Sequence, residues 1–202
     1  MRSWTSNVVT AGLGSLDETK QLASHVNALG KFDAVIHNAG VYNTSAEEIF
    51  TVDTLAPYLL TSLIQRPERL IYLSSGMHLQ GHSKLESFKT DSSRLTYTDS
   101  KLHVLMLCKA IARKWPQVYA NAVDPGWVPT KMGGQGAPDD LQKGYETQVW
   151  LAVSTDERAT VSGRYFYHQK ESCHHPEADD VTSQERFLGL CQEMTGVFFP
   201  RD

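Results

Sequence analysis

The chain has 202 residues, 41% of them hydrophobic and 21% charged, which suffices for the buried core of one globular domain. A formal net charge of −4 gives no electrostatic footprint for nucleic acid or an anionic membrane, and no apolar run reaches the ~18 residues of a spanning helix. The three cysteines, Cys108, Cys173 and Cys191, are odd in number and lack paired spacing, so reduced thiols and a cytoplasmic location are expected.

Short apolar runs of β type alternate with longer helical patterns, the signature of a parallel sheet covered by helices. Residues 7–10 read as a strand end. Ser15, with Glu18 three residues on, opens a helix with capping-box spacing, and Gly30 stops it. A strand over 32–37 turns at Asn38, Ala39 and Gly40. Residues 47–64 read as helix, and 69–73 as a strand ending in Ser74, Ser75 and Gly76. After a polar loop over 78–94, a helix carries Tyr97 and Lys101 to Trp115 and is stopped by Pro116. Residues 118–123 form a strand ending in Asp124, Pro125 and Gly126. A loop to about 140, a helix through 153, a strand around 165–167 and a helix over about 182–194 complete the series. No repeat or linker interrupts it, so 1–202 reads as a single domain.

Ligands of open α/β sheets bind beyond the carboxyl ends of the strands, where this chain places its polar and glycine-rich turns. Tyr97 and Lys101 are four apart, hence on one helical face. A lysine charge beside a phenol favours the phenolate, so Lys101 is expected to lower the Tyr97 pKa and make it a proton donor or acceptor near neutrality. A lone pair at this spacing would be an ordinary solvated face; three strand-end turns in succession around it point to a site. Cys173, His174 and His175, with Glu171 nearby, lack the spaced ligand pairs of zinc sites and read as a polar surface loop, so no metal is expected. His78 and His82 read as solvated loop histidines, and Trp127 and Trp150 as core or pocket wall.

With the Asn38-Ala39-Gly40 turn, the strand ending in Ser74 and Ser75, the Tyr97/Lys101 pair and the Pro125-Gly126-Trp127-Val128-Pro129-Thr130 stretch, the chain resembles the short-chain dehydrogenase/reductase family. The resemblance covers nearly everything from residue 7 onward. It looks closest to the branch similar to retinol dehydrogenases and WW-domain oxidoreductases, which has a long loop between serine and tyrosine. It implies a Rossmann-like, doubly wound parallel sheet and an NAD(P)-dependent oxidoreductase interconverting an alcohol and a carbonyl. Tyr97 would be the acid/base, Lys101 would lower its pKa and hydrogen-bond the nicotinamide ribose, and Ser75 would hold the substrate oxygen. Asn38, Ala39 and Gly40 would pack backbone against NAD or NADP; Pro125, Gly126 and Val128 would flank the nicotinamide, and Thr130 would reach the phosphates. Where many members carry an asparagine that completes a proton relay, this chain has Asp53. The implied partner is a small alcohol or carbonyl compound, without nucleic acid or membrane, and with a homo-oligomer left open.

The family's glycine-rich dinucleotide turn, G-x-G-x-x-G, is not matched: Gly12 and Gly14 precede Ser15-Leu16-Asp17 and read as turn glycines. The chain opens at what resembles the family's third strand, so the fold is expected to be N-terminally truncated, without the first two strands and the first helix. In the order 3-2-1-4-5-6 this leaves strand three without its neighbour and a central strand with an open edge. The alternative function is therefore a non-catalytic binding or scaffold protein, or an inactive fragment.

Overall fold

In a computed structural model that describes residues 6–200, the sheet has four parallel strands side by side in chain order. They are β1 (Ala34–His37), β2 (Arg69–Leu73), β3 (Tyr119–Asp124) and β4 (Arg164–Tyr167), and β5 (Lys170–Glu171) returns antiparallel on β4. The helices are α1 (Leu16–Ala28), α2 (Ala46–Ile49), α3 (Ala56–Leu63), α4 (Ser87–Thr90), α5 (Tyr97–Lys114), α6 (Lys143–Val153) and α7 (Val181–Thr195). This is the expected α/β fold with a mainly parallel sheet.

Period-two alternation sorts the strand residues onto two faces. Leu70, Tyr72, Ala120, Ala122 and Tyr165 join a large core with residues of α5 and α7, including Leu105, Ile111 and Phe187. Ile71, Leu73, Val123 and Phe166 point the other way, into a smaller cluster with Leu151 of α6. Ala120 and Ala122 offer only methyl groups where α5 crosses β3. The 18-residue helix can therefore approach the sheet closely, and that brings its first turn to the strand ends.

The expected helix over 47–64 is present but interrupted: a π-helical turn, Phe50–Leu55, joins α2 to α3. Pro57 supplies the cause. It has no N–H to give the carbonyl four residues back, and its ring would crowd that carbonyl. The wider turn resolves the conflict, with Ala56 N–H bonding Thr51 O. Asp53 lies in this turn and is buried. The α5 start is fixed by a capping box between Thr96 and Asp99. Against the cost of burial, Lys84, Thr96 and the His82 N–H hold the Asp99 carboxyl below its ordinary pKa.

Several expectations need correction. Residues 7–10 have no strand structure, and among the described residues no strand pairs with the outer side of β1, so nothing there offers them a ladder. Ser15 caps α1 as expected, but Glu18 reaches back to the Gly12 N–H rather than closing the box. The segment 78–94 is less polar than its composition suggests: Leu85 and Phe88 enter the large core, with Phe88 edge-on to Phe50 at 4.7 Å. The β4–β5 turn was invisible because His168 and Gln169 both hold positive φ without a glycine or asparagine to signal it.

Candidate active site

The carboxyl end of β2, the first turn of α5 and the π-helical turn meet at one place. Ser75 follows β2, Tyr97 opens α5, and both are half-buried. The Ser75 side chain lies beside the Tyr97 phenol and favours its ionised form. Lys101, one turn along α5, holds its Nζ 5.0 Å from the Tyr97 ring centroid. Tyr42 meets that ring edge-on, with centroids 4.9 Å apart.

Lys101 and Asp53 form a buried ion pair, Nζ to Oδ2 at 3.2 Å, with 4% and 1% of the residues exposed. Three further groups fix this pair. Val41 N–H donates to Asp53 Oδ1 at 2.8 Å, the Ser100 hydroxyl is shared between the Tyr97 carbonyl at 2.8 Å and Asp53 Oδ2 at 3.3 Å, and Lys101 Nζ also donates to the Leu73 carbonyl at 3.4 Å. Burial pushes the Asp53 carboxyl up, opposed by Lys101, Val41 and Ser100. Gly40 lies beside the pair: a Cβ there would stand 3.1 Å from Lys101 Nζ and 3.4 Å from Asp53 Oδ1, so a side chain would press on the ion pair by a few tenths of an ångström.

The expected lowering of the Tyr97 pKa is not what this arrangement produces. Burial raises it first, and the carboxylates of Asp53 and Asp124 raise it further against the Ser75 side chain. The lysine charge is engaged by Asp53, so it cannot act on the phenol as an unpaired cation.

Other named residues sit less centrally. Asn38 and Ala39 are exposed and, with His37, Ile36 and Leu13, line a cleft of about 110 Å³ beside β1. Gly126 has φ +79°, and a Cβ there would lie 2.6 Å from Asp139 Oδ2, so this turn needs glycine. Val128 packs against Gly144, while Thr130 is exposed and its hydroxyl accepts from Gly133 N–H at 3.2 Å.

Sequence reasoning passed over Asp124, at the end of β3, whose carboxylate acts on Tyr97 and Tyr165 and accepts from the Gly126 N–H at 2.9 Å. Its place at a strand end beside Pro125 and Gly126 was the available signal. His78 is buried rather than solvated. Its Nε2 accepts from His175 N–H at 3.2 Å, so Nδ1–H donates to the Ser75 carbonyl at 2.6 Å and steadies the serine backbone. Burial holds the His78 pKa below its ordinary value. Trp127 is 59% exposed, not core, and Trp150 packs edge-on to Phe166. Among the described residues no cluster of three His, Cys, Asp or Glu is disposed to hold a metal ion.

Lysine carries three N–H donors, and Asp53 and Leu73 occupy two of those of Lys101. The third, with the half-exposed Tyr97 and Ser75 hydroxyls, makes a donor set that suits a ribose diol and an adjoining carbonyl oxygen.

The polar cluster lies at the strand ends of a parallel α/β sheet, where such sheets bind their ligands, and known proteins share the fold. An uncharacterized oxidoreductase of Emericella nidulans is 38% identical over 206 residues, spanning 96% of this chain and 80% of the relative. A short-chain dehydrogenase of Penicillium rubens, chyC, is 35% identical over 212 residues, 96% of this chain and 81% of its own. An uncharacterized Mycobacterium paratuberculosis protein superposes with a TM-score of 0.77 at 20% identity, over 94% of this chain and 75% of that one. NADPH-bound carbonyl reductase from chicken fatty liver gives 0.59 at 21% identity, over 81% and 75%. No protein-family model matches. The chain belongs to the short-chain dehydrogenase family, whose members named here are oxidoreductases.

Proposed function

We propose that this chain is an oxidoreductase interconverting an alcohol and a carbonyl, with Tyr97 exchanging the proton at the substrate oxygen. The observation that carries this is the Ser75–Tyr97 hydroxyl pair at the carboxyl end of β2, with Lys101 one turn behind the phenol. Two hydroxyls meeting at an accessible strand end can share one substrate oxygen: Ser75 orients it and Tyr97 gives or takes its proton. Lys101 would hold the ribose of a nicotinamide dinucleotide with its remaining donor, and Asp53 would fix that lysine.

The cofactor proposed is NAD or NADP, which when bound would supply or accept the hydride at the substrate carbon. Pro125, Gly126 and Val128 would border the ring and Thr130 the phosphates; the turn of Asn38, Ala39 and Gly40 would leave room beside it. The NADPH carried by the chicken carbonyl reductase supports the cofactor class. We place the protein in the cytoplasm on its three unpaired cysteines, two of them buried thiols. Among the described residues no helix is long and apolar enough to cross a membrane. The alternative, a binding or scaffold role, draws on one observation: no G-x-G-x-x-G turn occurs in the sequence.

The test is Tyr97→Phe, which keeps the ring and removes the proton. In a preparation that turns over an alcohol or carbonyl, kcat should fall by roughly 10²–10⁴, the span of general acid–base groups. Unchanged turnover would remove Tyr97 from the reaction.

A further inference from the structure

We propose that Asp124 selects the substrate: its carboxylate takes a hydrogen-bond donor, a hydroxyl or an amino group, carried near the reacting carbon. The site would then favour hydroxy or amino ketones over their ethers and over keto acids. This deepens the reading of Tyr97 and Ser75 as the pair that holds the substrate oxygen, and rests on it.

Strand alternation puts Asp124 where a substrate arrives. Ala122 pairs with Tyr72 on one side and Tyr165 on the other, all three in the core beneath α5. Asp124 lies two residues on, so its side chain stands on the same face at the carboxyl end of β3. That is the face and the end at which Tyr97 opens α5. A Cβ on Gly76, the residue after Ser75, would be 3.0 Å from Asp124 Oδ2, so the carboxylate stands directly against the neighbour of the serine. It is close enough to act on the Tyr97 phenol.

The turn after β3 uses only part of this carboxylate. Oδ1 accepts from Gly126 N–H at 2.9 Å. Among the described residues Oδ2 accepts no hydrogen bond, and no lysine or arginine pairs with Asp124. Behind it the Tyr165 hydroxyl is buried, with 3% of the residue exposed, and makes no hydrogen bond either. The carboxylate bears on that phenol and raises its pKa, so the two groups face each other. A buried hydroxyl without a partner is costly, and an ionised carboxylate offers about four lone-pair sites. Gly126 N–H and Tyr165 O–H can fill two of them. The rest are left for the half-buried side that Ser75 and Tyr97 share, where a charged acceptor calls for a donor. A hydroxyl or an amino group supplies one. An ether oxygen in the same place has no hydrogen to give and would strand the charge, and a carboxylate there would meet its like.

The experiment uses four ketones that share a phenyl ring and a carbonyl: α-hydroxyacetophenone, α-aminoacetophenone, α-methoxyacetophenone and benzoylformate. Each is titrated into the ¹⁵N-labelled chain, and binding is read from the amide shifts. At least one of the two donors should bind about tenfold or more tighter than the ether, with benzoylformate weakest. The tighter donor tells whether the hydroxyl or the amine is the group taken. In Asp124→Asn the amide oxygen still accepts from Gly126 N–H but the charge is gone. The advantage over the ether should fall below about threefold, and benzoylformate should gain. Asp124→Ser should do the same, and the amide spectra report whether each variant folds. An ether bound as tightly as both donors, no binding of either donor, or an advantage unchanged in the folded variants overturns the proposal. The two readings fail separately, because binding is read without turnover: activity surviving Tyr97→Phe would sink the functional reading and leave the donor preference standing.

Discussion

Around Asp53 and Lys101 the chain meets each charge with its own groups: a backbone N–H, a serine hydroxyl and a backbone carbonyl. Along the outer side of β1 it does the opposite. Among the described residues no strand covers that edge, and Ile36 and the preceding Phe32 are 39% and 38% exposed. The two regions lie on one sheet, joined by the turn at Asn38, Ala39 and Gly40. The end that carries Tyr97 is held by the interlocking of β2, α5 and the π-helical turn.

The sharpest way to break this contrast is to open the buried pair. Lys101→Met leaves Asp53 without its counter-charge, and unfolding in urea should show a loss of about 3–5 kcal/mol. A loss under about 1 kcal/mol would mean that the pair is solvated. A second probe lies on the same helix. His103 is fully buried, takes a hydrogen bond from Thr54 at 3.0 Å and gives one to the Ser83 carbonyl at 2.7 Å. Burial lowers its pKa from the ordinary 6.5 to about 4. The folded state then binds fewer protons than the unfolded one over that interval. The stability contributed by the neutral ring is fully present above pH 6.5, declines as the pH falls, and is lost once it has fallen through 4. The span is on the order of 3 kcal/mol, and His103→Gln should flatten that part of the stability profile. At the open edge the expected effect is smallest. Ile36→Lys should change stability by no more than about 0.5 kcal/mol and should reduce self-association in sedimentation, because a lysine blunts an exposed strand edge.

Much of this was legible in the sequence. Short apolar runs gave all four parallel strands because β2 and β3 are buried on both faces, and buried strands advertise themselves. Tyr97, Lys101 and Ser75 were legible because spacing and strand-end position fix where such side chains arrive. What stayed hidden depended on contacts distant in sequence. Asp53 could be matched to the family's asparagine, but its pairing with Lys101, 48 positions on, is a tertiary fact, and so is the burial that, with the Asp53 and Asp124 carboxylates, raises the Tyr97 pKa. His78 looked like a solvated loop residue until the chain from His175 closed over it. The strand expected at 7–10 failed for the converse reason: its local pattern was adequate, but a strand requires a neighbour.

The proposed function asks the site at Tyr97 and Lys101 to hold a nicotinamide riboside, while among the described residues no strand beyond β1 borders the adenosine half. Isothermal titration of the 202-residue chain with reduced nicotinamide mononucleotide, NADH and NADPH tests this directly. The three should bind with similar affinity, in the millimolar range (about −4 kcal/mol). Micromolar binding of either dinucleotide, well above the mononucleotide, would show that residues of this chain grip the diphosphate or adenosine, and would contradict the contrast between the two regions.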